Sequence, residues 1–169
     1  MKQLKIISSI IVISLALFSQ NKLQAQTSMT KVESLYIYNF IKNIQWSNVN
    51  DKYIVGVFSD NDTFNELNTI LSVRQFNGKN IEVKKLSAPT HASECHIVFV
   101  SQSSGSMVKK IVAEADTKNT LIVSERGQLN NGAGIAFVLD NSKLGFQINK
   151  EACSAAGLQI SASLMSLGI

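Results

Sequence analysis

The sequence has few of the residues from which catalytic and metal sites are built. Only two histidines, His91 and His96, and two cysteines, Cys95 and Cys153, occur among 169 residues. No Cys-x-x-Cys pair is present, and Cys95 and His96 are neighbours in an apolar run typical of a strand, where adjacent side chains point to opposite faces. We therefore expect no metal site.

Signatures of nucleophilic catalysis and of phosphate binding are also missing. The polar stretch Ser101–Ser106 follows a predicted strand but lacks a Gly-x-Ser-x-Gly elbow, and Gly127–Gly134 lacks the Lys-Ser/Thr of a phosphate loop. A polar loop and a turn explain both stretches. We therefore expect no catalytic residue and no cofactor. The rival class, an envelope hydrolase, would need a serine or aspartate side chain held against His91 or His96.

The first 25 residues have the pattern of a secretory signal peptide. Lys2 and Lys5 precede an apolar run, Ile6–Phe18, and Leu23–Ala25 ends in a small residue. A membrane anchor is the alternative, but the run is shorter than the roughly 20 residues that span a bilayer. The sequence therefore predicts export to the periplasm, cleavage after about Ala25 and a single domain over residues 26–169.

Cleavage removes most of the positive charge. The full chain has 16 basic and 12 acidic residues, a net charge of +4, and three of the basic residues but none of the acidic ones lie in the leader. The mature chain thus has a net charge of +1, which gives no basis for nucleic-acid binding. It is long enough to bury one core.

The middle of the chain alternates strand and helix patterns. The buried run Cys95–Ser101 is the predicted central strand. Strands are also predicted at Tyr53–Phe58, Ile81–Leu86 and Thr120–Val123, with short helices at Phe64–Leu71 and from Met107. This order predicts an α/β fold with a central, mostly parallel sheet and helices on both faces.

The two ends of the mature chain complete the predicted fold. Thr30–Glu33 has the form of a capping box, followed by a helix that ends near Trp46. Near the C-terminus, Gly134–Leu139 and Lys143–Ile148 predict an antiparallel hairpin, and Asn149 caps a final helix carrying Ala152, Ala156, Ile160 and Leu164. Gly157 marks either close packing or a break between two helical pieces.

Three separated stretches resemble one family. Residues Tyr36–Trp46 resemble the opening helix motif of the YfiR family of periplasmic proteins, Cys95–Ser101 resembles its central strand, and Phe146–Asn149 with Ala155–Ser161 resembles its C-terminal block. The resemblance spans essentially the whole mature chain. Serine, threonine and asparagine stand at 47, 63 and 80, where members of that family commonly carry proline.

The resemblance implies an exported, non-enzymatic regulatory protein. In the best-known system of the family, such a protein restrains a membrane-bound diguanylate cyclase from the periplasmic side, and an outer-membrane partner sequesters it. The expected partner is therefore a membrane signalling protein with cyclic-di-GMP output, and a homodimer is a further expected assembly. The alternative is a small-ligand module that uses the crevice at the strand carboxyl ends, beside Ser59–Asp62 and Ser101–Ser106.

The two cysteines have two interpretations. An exported chain permits a Cys95–Cys153 disulfide, and the resemblance links some members of the family to envelope redox state. Cys95 falls on a position that commonly bears cysteine in the family, whereas Cys153 falls where a small residue is usual. The alternative is that both are small buried apolar residues.

The opening motif also has two interpretations. Tyr38 and Lys42 share one helix face, as do Asn39 and Trp46, and such a polar-aromatic face could dock a partner. Alternatively, the aromatic side chains, Phe40 included, pack on the sheet and the polar ones bind local backbone.

Overall fold

The computed structural model describes residues 29–141 and 143–169. The predicted signal peptide, residues 1–25, lies outside this range. Within it, no helix is long and apolar enough to cross a membrane.

A seven-stranded mixed sheet organises the described chain. Its spatial order is β3-β4-β2-β5-β6-β7-β8, and β1 and β9 form a separate antiparallel ribbon. The strands are β1 (Ile44–Gln45), β2 (Lys52–Phe58), β3 (Gln75–Phe76), β4 (Lys79–Lys85), β5 (Ile97–Val100), β6 (Leu121–Ser124), β7 (Ile135–Asp140), β8 (Lys143–Ile148) and β9 (Gln159–Ile160). The four pairings from β4 to β7 are parallel and the two outer ones are antiparallel, as the strand–helix alternation predicted.

Helices cover both faces of the sheet. They are α1 (residues 29–43), α2 (Asn61–Leu71), α3 (Met107–Glu114), α4 (Lys150–Ala155) and α5 (Ala162–Leu167). One core cluster joins α1, α2, α4 and α5 to the side chains of Ile97 and Phe99, whereas α3 packs in a second cluster with Val98 and Val100. Because consecutive residues of β5 belong to different clusters, the sheet lies between two apolar layers.

Helix α1 differs from its prediction at both ends. Residues 29 and 30 are already helical, so the predicted capping box at Thr30–Glu33 is wrong. The helix ends at residue 43 rather than near Trp46, because the chain turns into β1 and pairs with β9. The carbonyl of Ile41 accepts the Trp46 indole N–H at 3.0 Å, which satisfies one of the acceptors that a helix end leaves open.

The C-terminal helix is broken into two short helices. Gly157 adopts a left-handed backbone with φ of 73°, and Leu158 N–H donates to the Cys153 carbonyl at 2.9 Å. Such a left-handed glycine is a common helix terminator. Ile160, predicted on the helix, therefore lies in β9, and the break interpretation of Gly157 is confirmed.

Glu33 is a buried ionisable residue of α1. Its side chain is 1% exposed, and its Oε1 has no hydrogen-bond partner in the described structure. Burial, and then the nearby Glu125 carboxylate, raise the pKa of Glu33 to about 8, while the Arg126 guanidinium acts in the opposite direction. At neutral pH the folded protein therefore holds this carboxyl in its protonated form.

The Glu33→Gln substitution should stabilise the protein in a pH-dependent manner. The folded-state pKa lies above that of the unfolded chain, so the stability due to Glu33 is fully present below about pH 4.5 and falls as pH rises towards 8. Glutamine removes this loss, and the gain in unfolding free energy at pH 7 should be on the order of 2 to 3 kcal/mol. Urea unfolding at pH 4.5, 7 and 8.5 measures it.

The matched control is Glu114→Gln on α3, where the side chain is exposed. A Glu33→Gln gain that is equal at the three pH values would contradict the assignment of a buried, protonated carboxyl.

Candidate functional site

The opening motif divides between the core and the surface. Phe40 is fully buried, with its ring centroid 5.9 Å from Phe137 and 5.2 Å from Phe146. Tyr36 packs on the same two rings, and its hydroxyl donates to the Leu144 carbonyl at 3.0 Å. These aromatics fix α1 to the sheet, whereas Asn39 and Lys42 are exposed.

Asn43 connects the end of α1 to the C-terminal segment. Its carbonyl accepts the Ser161 backbone N–H at 2.9 Å, and its Oδ1 accepts the hydroxyls of Ser161 and Ser163 at 3.2 and 3.3 Å. Its Nδ2 donates to the Asn39 carbonyl at 2.9 Å. Together with the β1–β9 ribbon, these bonds hold the motif against β9.

A cleft of about 540 Å³ opens where the motif meets β9. We call it the motif cleft; residues that line it include Lys42, Trp46, Tyr53, Phe76, Gln159 and Ile160. Tyr53 is the second residue of β2, and Phe76 lies in β3 beside the turn to β4, so the cleft lies at the amino ends of the parallel strands. Its volume is within the range of ligand pockets.

A second cleft of about 440 Å³ lies at the same edge of the sheet. Its lining includes Asp51, Lys52, Glu94, His96 and Lys118, so both signs of charge are present. The Trp46 and His96 rings meet edge to face with centroids 5.8 Å apart. Since each lines a different cleft, this ring pair lies between the two.

His96 has a structural role. Its Nδ1 accepts the Ile54 backbone N–H at 3.0 Å, so Nε2 carries the proton and donates to the Asn48 carbonyl at 3.0 Å. Burial lowers the pKa of His96 and favours this neutral form. With both nitrogens bonded to backbone, His96 is not placed as the general base that a hydrolase would need.

Tyr38, Lys42 and Arg74 form a charged cluster beside the motif cleft. The Lys42 Nζ lies 4.8 Å from the Tyr38 ring centroid, and the Arg74 guanidinium carbon lies 5.7 Å from it. The Tyr38 hydroxyl donates to the Gln75 carbonyl at 2.9 Å, which ties α1 to β3. Neither cation forms a salt bridge with a described residue.

At the opposite, carboxyl edge of the sheet, the predicted crevice groups are engaged locally. Asp60 caps α2 by accepting the Thr63 backbone N–H at 2.8 Å, and Ser101 pairs with the Ser103 hydroxyl at 3.0 Å. Glu125 accepts the Gln102 backbone N–H at 2.7 Å. The motif cleft and the His96-lined cleft thus lie at the edge opposite to the one that the ligand-module alternative used.

Cys95 and Cys153 are both buried free thiols in the structure. Cys95 lies in the core cluster on the α3 side, and Cys153 lies in the cluster on the opposite face of the sheet. The Cys95 Sγ is next to Gly56, 2.7 Å from the position that a Cβ on that glycine would take. The Cys153 Sγ is next to Gly134, 2.9 Å from the corresponding position. Gly56 is in β2 and Gly134 directly precedes β7. In the sheet order β2-β5-β6-β7 these two strands are three spacings apart, so the two glycines are separated by about 14 Å across the sheet. A disulfide requires Cα atoms roughly 4.4 to 6.8 Å apart, so the structure fits two buried apolar side chains.

Comparison with known protein families identifies the family of this chain. The model of the YfiR/HmsC-like family matches residues 30–169. The chain belongs to the YfiR/HmsC-like family. Proteins of this family are periplasmic regulators and are generally not enzymes. No curated protein matches the chain at a significant level.

The fold is also similar to that of a solved protein. The crystal structure of a conserved domain protein from Vibrio cholerae O1 biovar El Tor aligns with a TM-score of 0.58 and 11% sequence identity, over 82% of this chain. The chain spans 58% of the length of that protein. At this identity the likeness is one of fold.

Sequence reasoning placed the motif but missed the cleft that it helps to form. The β1–β9 pairing and the anchoring loop bonds are long-range; the Ser47 N–H, for example, donates to Asn119 Oδ1 at 2.8 Å. Asn119 has a positive φ of 62°, which asparagine tolerates better than most residues.

No three His, Cys, Asp or Glu residues within the described ranges are grouped so as to hold a metal ion.

Purified mature protein should contain two unmodified thiols that react only after unfolding. Burial raises the pKa of both cysteines to about 11, so little of the reactive thiolate is present in the folded state at neutral pH. Thiol titration without reductant, in native buffer and in denaturant, should give near zero and then two equivalents. No reactive thiol in denaturant, with a mass lower by two hydrogen atoms, would instead establish the disulfide.

Proposed function

We propose that this chain is an exported, non-enzymatic regulator that binds the periplasmic part of a membrane-bound signalling protein and restrains it. A diguanylate cyclase is the proposed partner, and lower cyclic-di-GMP is the proposed output. The observation that carries the proposal is the YfiR/HmsC-like match over residues 30–169. An outer-membrane protein that relieves the restraint, and a homodimer, belong to the same proposal.

The geometry supports a binding role at the amino edge of the sheet. The family motif ends in exposed or half-exposed groups there, namely Tyr38, Lys42 and Trp46, while its other aromatics serve the core. Rigid aromatic surface beside a cation is typical of protein contact sites. In this mechanism, the regulator prefers one conformation of its partner, and that difference in affinity shifts the partner towards its inactive state.

A small-ligand module remains the second candidate function, and the motif cleft is the observation that favours it. The cleft has the volume of a ligand pocket and includes both aromatic and amide side chains. A ligand bound there would occupy the surface that the first proposal gives to the partner. The two candidates differ in one respect: a regulator acts only through the membrane protein, whereas a ligand module binds its ligand without it.

Deleting the gene in its own cells and measuring cyclic-di-GMP by mass spectrometry tests the regulator proposal. We expect a several-fold rise, reversed by the wild-type chain expressed in the same cells. The Lys42→Glu chain should fail to reverse it, because it replaces an exposed cation at the proposed contact with an anion.

The control is Lys109→Glu, the same charge reversal at an exposed position on α3, in the layer on the other face of the sheet. It should restore cyclic-di-GMP as the wild type does, at equal protein level. Unchanged cyclic-di-GMP after gene deletion would contradict the regulator proposal and favour the ligand module.

A further inference from the structure

Two cations that form no salt bridge with a described residue are packed on one aromatic ring at the side of the motif cleft. Because Lys42 and Arg74 lie 4.8 and 5.7 Å from the same Tyr38 centroid, their charges are within about 10.5 Å of each other. Lys42 lines the cleft, and Arg74, whose guanidinium also donates to the Ile70 carbonyl, lies beside it. An anionic partner bound at this side of the cleft would be attracted by both charges. No acidic side chain is among the described residues that line the cleft.

The cleft beside these cations has an aromatic side. Trp46, Tyr53 and Phe76 line it, with the Tyr53 and Phe76 centroids 6.0 Å apart. The indole N–H of Trp46 is already donated to the Ile41 carbonyl, so the side chain offers its apolar ring surface. The site therefore pairs a positive rim with apolar contact area.

Two strand edges border the same cleft. Phe76 belongs to β3, the terminal strand of the seven-stranded sheet, and Ile160 belongs to the β1–β9 ribbon, which has no third strand in the described part of the chain. A terminal strand presents backbone N–H and C=O groups on one side, and extended peptides bind proteins by adding to such edges. A free small anion would use the cations but not these edges.

We propose that the motif cleft binds an extended acidic segment of the partner protein, with acidic and apolar side chains in alternation. In an extended segment successive side chains point to opposite sides, so alternate carboxylates reach Lys42 and Arg74 while the intervening apolar side chains pack on Trp46 and its neighbours. This inference rests on the proposed function and names the chemistry of the partner at that site.

The test uses the mature chain and a blocked hexapeptide that alternates glutamate with phenylalanine. Trp46 is the only tryptophan of the chain, so its emission reports directly on the cleft. We expect the peptide to change Trp46 emission saturably, and its affinity to fall as salt is raised. The same peptide with glutamine for glutamate should bind about tenfold more weakly or worse, a difference of 1.4 kcal/mol or more.

Variants locate the site. Lys42→Glu should weaken binding of the acidic peptide by about tenfold or more and Lys42→Gln by less, since one reverses and the other only removes the charge. Lys109→Glu should bind as the wild type does. Circular dichroism melting of each variant separates loss of binding from loss of fold.

Three results would overturn the inference. Equal affinity for the glutamine peptide would show an apolar groove without charge recognition, and displacement by glutarate or inorganic phosphate at equal concentration would show a small-anion site. Unaltered peptide affinity in Lys42→Glu would place the peptide elsewhere. Peptide binding with no cyclic-di-GMP change on gene deletion would instead refute the proposed function and leave the binding site standing.

Discussion

The packing of α1 against one face of the sheet is the contact on which the rest of the structure depends. Phe40 is fully buried and packs against the rings of Phe137 and Phe146, which are cross-strand partners in the antiparallel β7–β8 pair. Removing a phenylalanine from such a site typically costs about 3 to 5 kcal/mol, a large part of the 5 to 15 kcal/mol that stabilises a domain. Fixing the middle of α1 also fixes its end, where Asn43 bonds to Ser161 and Ile44 and Gln45 pair with β9.

This arrangement divides one short motif into a core half and a surface half. Helical spacing places Tyr36 and Phe40 on the sheet side and leaves Tyr38 and Lys42 towards solvent. The core half provides rigidity, and the exposed half forms a charged and aromatic surface in a defined position. A regulator that acts by preferring one conformation of its partner needs such a rigid surface, because a surface that adapts to both conformations would not discriminate between them.

The fold was largely predictable from sequence, whereas the cleft was not. The β-branched run of β5 and the alternation of strand and helix carry local signals for a parallel α/β sheet. The break at Gly157 had a local signal too, although the pairing of Ile160 with Ile44 did not. The pairing of the two-residue strands β1 and β9 and side-chain bonds such as Asn43 to Ser161 join residues more than 100 positions apart, and periodicity contains no information about them. The capping-box prediction failed because the helix already includes residues 29 and 30, so Thr30 is not its N-cap, and Glu33 is buried in the core.

Photo-crosslinking in living cells would show whether the motif cleft contacts a membrane signalling protein. A photoreactive amino acid replaces Gln45, an exposed residue of β1 that lines the motif cleft, and in a parallel strain it replaces Lys110, an exposed residue of α3. We expect an adduct with a cyclase-containing membrane protein from position 45 and none from position 110. Adducts with that protein from position 110 alone would contradict a contact at the motif cleft and move it to the opposite face.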